Sequence, residues 1–251
     1  MFSVSQFPAV VNSLQSNMEA SVPTANTPSL PESVLNHIPD TTISKTALSL
    51  AYTNLPLPIF HHSLRVFFLA KHLITVENTP TSHYLRHPDL DLLFIACIFH
   101  DMGACNLHNG PQRFEVEGAD AASLHLHSHG ISSEKRHQVW TAIALHTSPG
   151  IAERISPLAR IVRQAVLMDF GAPLRDVFGA DGYCQEIEVA LPRLDVEKCL
   201  GDVVVGQAVK VPGKAPAVSW PNALLKAHLR DPEWEGVNPE FFGEEKPGRG
   251  L

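Results

Sequence analysis

The stretch Leu92-Leu93-Phe94-Ile95-Ala96-Cys97-Ile98-Phe99-His100-Asp101-Met102-Gly103 decides the fold. Read as a helix from Leu90 to Asp101, it is apolar almost all round, and a helix without a polar face belongs at the centre of a bundle. Gly103 stands where a helix C′ residue would end it. The helix closes on a histidine and an aspartate, so the sequence carries an imidazole and a carboxylate to the edge of its most buried segment. A buried carboxylate is costly unless something cationic neutralises it, and a bound divalent ion is one way to do so.

Working outward, helical signals continue on both sides. Upstream, a helix through Ser44–Tyr52 is cut by Leu55-Pro56-Leu57-Pro58, because proline lacks an amide donor and clashes with the preceding turn. A new helix is predicted from about Ile59, where Leu64, Phe67, Phe68, Leu69 and Leu73 recur at helical spacing and His62 shares a face with Val66 and Leu69. Downstream, helices are predicted at Glu115–His127, at Ser132–Leu145 behind the capping residue Ser132, and at Ile155–Phe170. Glu186–Leu200 and Trp220–Leu229 also read as helices, with 206–221 an extended Pro/Gly-containing connection. No alternating strand intervenes. The expected fold is therefore all-α: a helical bundle with extra N- and C-terminal helices. Its three parts are a loosely ordered arm at 1–40, a core at 41–171, and helices and loops at 172–251 packing on that core.

Composition narrows the function classes. The 251 residues are 44% hydrophobic and 18% charged, as in an ordinary globular protein, and the net charge of -7 offers no footprint for a polyanion. Nucleic acid is not an expected partner. The longest apolar run, 92–99, is too short to span a bilayer. Cys97, Cys105, Cys184 and Cys199 have no C-x-x-C spacing, and no basic n-region precedes an apolar run at the start. The expectation is a cytoplasmic protein that binds neither membrane nor nucleic acid and acts on a small-molecule substrate, with homo-oligomerisation open.

The candidate ligands follow a fixed order along the chain. His61 and His62 precede Arg65 and Val66; His100-Asp101 follows; Asp169 closes the apolar segment ARIVRQAVLMDF. Imidazole and carboxylate groups from three helices can converge on one ion in a bundle, and a mixed N/O set suits Zn²⁺, Fe²⁺, Mn²⁺ or Co²⁺. Arg65, one turn beyond His62, is placed either to bridge to a ligand carboxylate or to bind an anionic group.

The pattern HHSLRV at 61–66, FHDMG at 99–103 and LMDFG at 167–171 resembles the HD-domain superfamily. The resemblance implies a metal site of His62, His100, Asp101 and Asp169, with His62 preferred to His61 because the ligand usually directly precedes an SxRV-like stretch. Dinuclear members commonly read HExxGA where this chain has FEVEGA, so Phe114 replaces a histidine that would bind a second ion. One divalent metal is implied, zinc first, with Fe(II) or Mn as alternatives. His146, in AIALHTSPG, is then free to bind substrate or move a proton. Within the superfamily the chain looks like the fungal cyanamide hydratase branch, zinc enzymes that add water to a nitrile-like carbon to make urea, although Ala104 and Thr147-Ser148-Pro149-Gly150 depart from that branch. The implied catalytic residues are Asp101, His146 and Asp169; Arg65, Phe99, Phe114, His146 and Thr147 are the implied substrate contacts. The competing expectations are a metal-dependent phosphohydrolase acting on a nucleotide or small phosphate ester, and a non-catalytic metal-binding module.

Overall fold

A computed structural model describes residues 30–77 and 80–232, and the expectations for 1–29 and 233–251 lie outside the described residues. Helices α1 (Glu32–Leu35), α2 (Thr42–Asn54), α3 (Leu57–Glu77) and α4 (Asp89–Phe99) are followed by α5 (Phe114–Ser128), α6 (Ser133–Leu145), α7 (Ala152–Ile155) and α8 (Pro157–Phe170). Then come α9 (Ala172–Val177), α10 (Asp181–Ala190), α11 (Val196–Lys210) and α12 (Trp220–Arg230). There is no strand among the described residues, so the fold is all-α. None of the described helices is long and apolar enough to cross a membrane.

α4 is the axis of the core. Every residue from Asp91 to Phe99 is buried, and α2, α3, α5, α6 and α8 all pack on it. Its one buried acid near the start is accounted for locally: Asp91 accepts from the hydroxyls of Thr41 (2.6 Å) and Ser44 (2.7 Å), which tie α2 across its N-terminus. The hydroxyl of Thr41 also caps α2 by accepting from the Ser44 amide. α3 starts at Leu57 with Pro58 in its first turn, where a missing amide costs nothing. α6 and α8 are capped by Ser132 and Ser156, each accepting from an amide three residues on. α8 packs against α3 and α6. These caps set where α2, α6 and α8 begin, and thus the phase at which their side chains reach the centre.

Three expectations are corrected. Gly103 is no left-handed helix cap. It lies in the short 3₁₀ turn Met102–Ala104, and its lack of a side chain allows close packing: a Cβ there would sit 2.0 Å from the Phe114 carbonyl oxygen. Gly118 does the same from the other side, against Phe99 and His100 carbonyls, so the His-Asp turn lies directly on α5. The predicted helix 186–200 is two helices. Pro192 breaks it, Leu194 and Asp195 adopt φ of 53°, and the released carbonyls of Leu191 and Pro192 are taken up by Arg65. The predicted extended connection from 206 is helical to Lys210, with Gln207 donating to the Gly103 carbonyl at 2.9 Å. The arm, too, is in part packed: Val34 and Ile38 are buried in the core.

Between α2 and α5, His125 is buried, and its Nε2 donates to the Ile43 carbonyl at 2.9 Å. Burial is the main cause that pushes its pKa down from 6.5 to about 4, with the neighbouring His129 adding to it. The unfolded chain therefore binds the extra proton first as the pH falls. Stability is lost between about pH 6.5 and 4, by at most about 3 kcal/mol at 1.36 kcal/mol per unit. Thermal melts of wild type and His125→Gln across pH 7 to 4.5 should converge or cross as the pH falls; an unchanged difference would remove His125 as the cause. Gly103→Ala should lower the melting temperature sharply, because backbone must move to admit the methyl group.

Candidate metal centre

The His-Asp turn delivers two of the site's groups at the end of α4, and α3 delivers His62 opposite them. His62, His100 and Asp101 bring ligand atoms within 4.8 Å of one another, all buried. Asp101 is 1% exposed, yet neither carboxylate oxygen has a hydrogen-bond partner. Three imidazole Nε2 atoms surround it instead. His100 stands 3.3 Å and His62 3.7 Å from Oδ2, while His146 stands 3.6 Å from Oδ1.

The ring orientations are set from behind. His100 Nδ1 donates to the Cys97 carbonyl and His146 Nδ1 to the Ile143 carbonyl, both at 2.7 Å; His62 Nδ1 donates to Asp169 Oδ2 at 2.6 Å. A carbonyl or carboxylate only accepts, so each Nδ1 carries its hydrogen and each neutral ring turns an Nε2 lone pair toward Asp101. The Nε2 atoms of His62 and His100 are 3.1 Å apart. Two lone pairs at that distance, beside an unpartnered carboxylate, call for a cation between them. Ligands at about 2.0–2.1 Å around a tetrahedral ion stand about 3.3–3.4 Å from one another. The separations among His62, His100 and Asp101 bracket that value, so the donor set fits a divalent metal.

Asp169 is placed differently from expectation. It does not join the three converging groups. Its Oδ1 accepts from Arg65 Nε (2.8 Å) and its Oδ2 from Arg65 Nη2 (2.9 Å) as well as from His62. The carboxylate thus stands behind His62 and orients it, as carboxylates commonly do for metal-binding imidazoles. Arg65, fully buried, is committed to Asp169 and to the Leu191 and Pro192 carbonyls. Of its two expected roles the bridge to a carboxylate is the one it has. His61 bonds the Pro192 carbonyl instead of facing Asp101.

Burial alone would raise the Asp101 pKa, but His100, His62 and His146 together hold it well below the usual carboxylate range. Burial, offset by the bonds of His62 and Arg65, acts on Asp169 with the same outcome. Burial also works against charge on His100, yet Asp101 and the Cys97 carbonyl overcome it and raise its pKa. His62 is lowered by burial despite Asp169. His146 is pushed down to about 3, chiefly by burial and then by His100. His62 and His146 are thus both held toward the neutral form.

A cavity of about 10 Å³ opens on these groups, with room for about one water. It is lined by the predicted residues His62, His100, Asp101, Phe114, His146 and Thr147, but not by Arg65, Phe99 or Asp169. Phe99 instead packs its ring 5.3 Å from His125. Thr147 faces the cavity with its hydroxyl proton already given to Glu115 (2.5 Å) and its oxygen accepting from Arg113 (3.0 Å). The remaining wall comes from Arg163, Val166, Phe170, Leu200 and Trp220, none of which the sequence reading chose. Arg163, Val166 and Phe170 recur at helical spacing on α8, which is a signal that could have found them. Leu200 and Trp220 belong to α11 and α12, where only the tertiary fold brings them in.

Residues 59–165 match the family model described as HD domain. The match holds His62, His100, Asp101 and His146 and supports the HD superfamily for this segment, whose members are mostly metal-dependent enzymes. No curated protein matches the chain.

Two substitutions separate the inner and outer carboxylates. Asp101→Ala should abolish stoichiometric metal binding. Asp169→Asn should retain one site per chain and weaken its affinity by about 10- to 100-fold. Metal titration with elemental analysis reads both, and loss of all metal from Asp169→Asn would make it a direct ligand.

Proposed function

We propose that the HD-type segment holds one divalent ion, most simply zinc, and hydrates a small nitrile-like molecule such as cyanamide to urea. The observation that carries the reading is Phe114. It stands where the resemblance puts a second ion's histidine, and its ring lies 5.8 Å from the rings of both His146 and Trp220. A chamber of about 10 Å³ favours a reacting group a few atoms long. It also disfavours a phosphate ester, which normally calls for several converging cations; Arg163 alone of the cationic side chains lines the chamber, and Arg65 is bound to Asp169.

His62, His100 and Asp101 would hold the ion. When bound, it would acidify a water toward neutrality. The other requirements fall on the chain itself. His146 is neutral and presents an Nε2 lone pair, so its first act is to accept a proton from the attacking water as the new C–O bond forms. The same nitrogen then returns that proton to the substrate nitrogen, to which the electron pair of the C≡N bond has moved. A further shift of the hydroxyl proton to nitrogen completes the amide. This ordering makes His146 base before acid. Val166, Phe170, Leu200 and Trp220 keep bulk water from the reacting carbon. Asp169 and Arg65 serve by holding His62 in place.

Zinc-loaded protein should convert cyanamide to urea, and His146→Ala should lower kcat by about 100- to 10,000-fold while keeping the metal. Urea release is the measurement. Turnover of a nucleotide or phosphodiester with none of cyanamide would replace this reading with phosphohydrolysis.

A further inference from the structure

A second, larger cavity of about 370 Å³ lies against the chamber, and Thr147, Arg163 and Trp220 line both. These three side chains are the partition between them. The outer cavity also takes Arg113, Ser148, Ile151 and Leu167, so it has an apolar floor and a polar rim and is of a size that holds small organic ligands. The inner chamber admits little more than one water. A ligand held in the outer cavity would meet the inner groups only across this partition.

Arg163 is the notable member of that partition. It is 7% exposed, its Nη1 donates to the His146 carbonyl at 3.1 Å, and its Nε reaches Glu153 at 3.3 Å. Among the described residues it is the one side chain lining the chamber that carries a fixed positive charge. The chamber is otherwise lined by the Asp101 carboxylate, the imidazoles, the Trp220 indole and the Thr147 hydroxyl, whose proton goes to Glu115. A substrate's acceptor end needs a donor, and a carboxylate-lined chamber would otherwise repel it.

We propose that Arg163 is a substrate-binding residue that selects ligands with a small acceptor or anionic end and places that end at the partition beside the metal centre. This rests on the reading of the chamber as the place of reaction and adds the class of ligand it takes. In hydration of a nitrile, Arg163 gives a hydrogen bond, not a proton, to the terminal nitrogen as negative charge gathers there. The proton itself still comes from His146. An interaction that strengthens as charge develops lowers the barrier more than it tightens ground-state binding.

Azide, a linear anion the enzyme has no means to hydrate, tests this without turnover. Calorimetric titration of the zinc-loaded full chain with azide should show one site, and Arg163→Met should bind it about ten- to a hundredfold more weakly with zinc content unchanged. Should that variant fail to fold, Glu153→Gln removes the guanidinium's counter-charge outside the chamber and should tighten azide about two- to fivefold. No azide uptake by the wild type, or equal affinity in whichever of these variants folds, overturns the proposal. Azide binding that depends on Arg163 in a protein that leaves cyanamide untouched would sustain Arg163 and remove the hydratase reading alone.

Discussion

A carboxylate without a hydrogen-bond donor, placed where water does not reach, is the condition around which this bundle is organised. Asp101 cannot stay charged in a low-dielectric interior on its own. What makes it tolerable is a ring of imidazoles whose far nitrogens are each tied down, to Cys97, to Ile143 and to Asp169. Two of those ties are to carbonyls in the last turns of α4 and α6, beside the rings they hold. Together the ties set the tautomers and leave a cation as the missing component. The buried Arg65–Asp169 pair extends the same network one layer outward, and the break at Pro192 supplies the carbonyls that complete it.

How much of this was legible depended on range. The all-apolar α4, the proline start of α3 and the serine cap of α6 are local signals, and they placed those helices to within a few residues. His62, His100 and Asp101 could be chosen because each terminates or faces an apolar segment. Asp169 showed the limit. Periodicity says that it is buried at the end of α8, but whether its oxygens turn to the shared centre or to the back of His62 depends on Arg65, 104 residues earlier. The split of 186–200 carried a visible cue in Pro192, outweighed by the flanking apolar spacing. Trp220 and Leu200 carried none, because nothing local to them refers to a site formed on α3 and α4.

The two glycines at the crossing of the His-Asp turn and α5 explain the precision of the arrangement. With Gly103 against the Phe114 carbonyl and Gly118 against Phe99 and His100, backbone meets backbone with no intervening side chain. Close-packed backbone yields less than side chains do, so the turn that carries the ligands has little room to shift. Phe114 is held by the same contact, so its ring is tied rigidly to the turn that carries His100 and Asp101.

The walls of the inner cavity do not all come from the segment that carries the converging groups. Residues 59–165 contain every converging ligand, whereas Trp220 and Leu200 arrive from segments beyond that match. The inner wall is thus drawn from both lengths of sequence, with Phe114, Thr147 and Arg163 from the matched segment and Leu200 and Trp220 from beyond it. Replacements at Leu200 and Trp220 can therefore reshape the inner cavity without touching His62, His100 or Asp101.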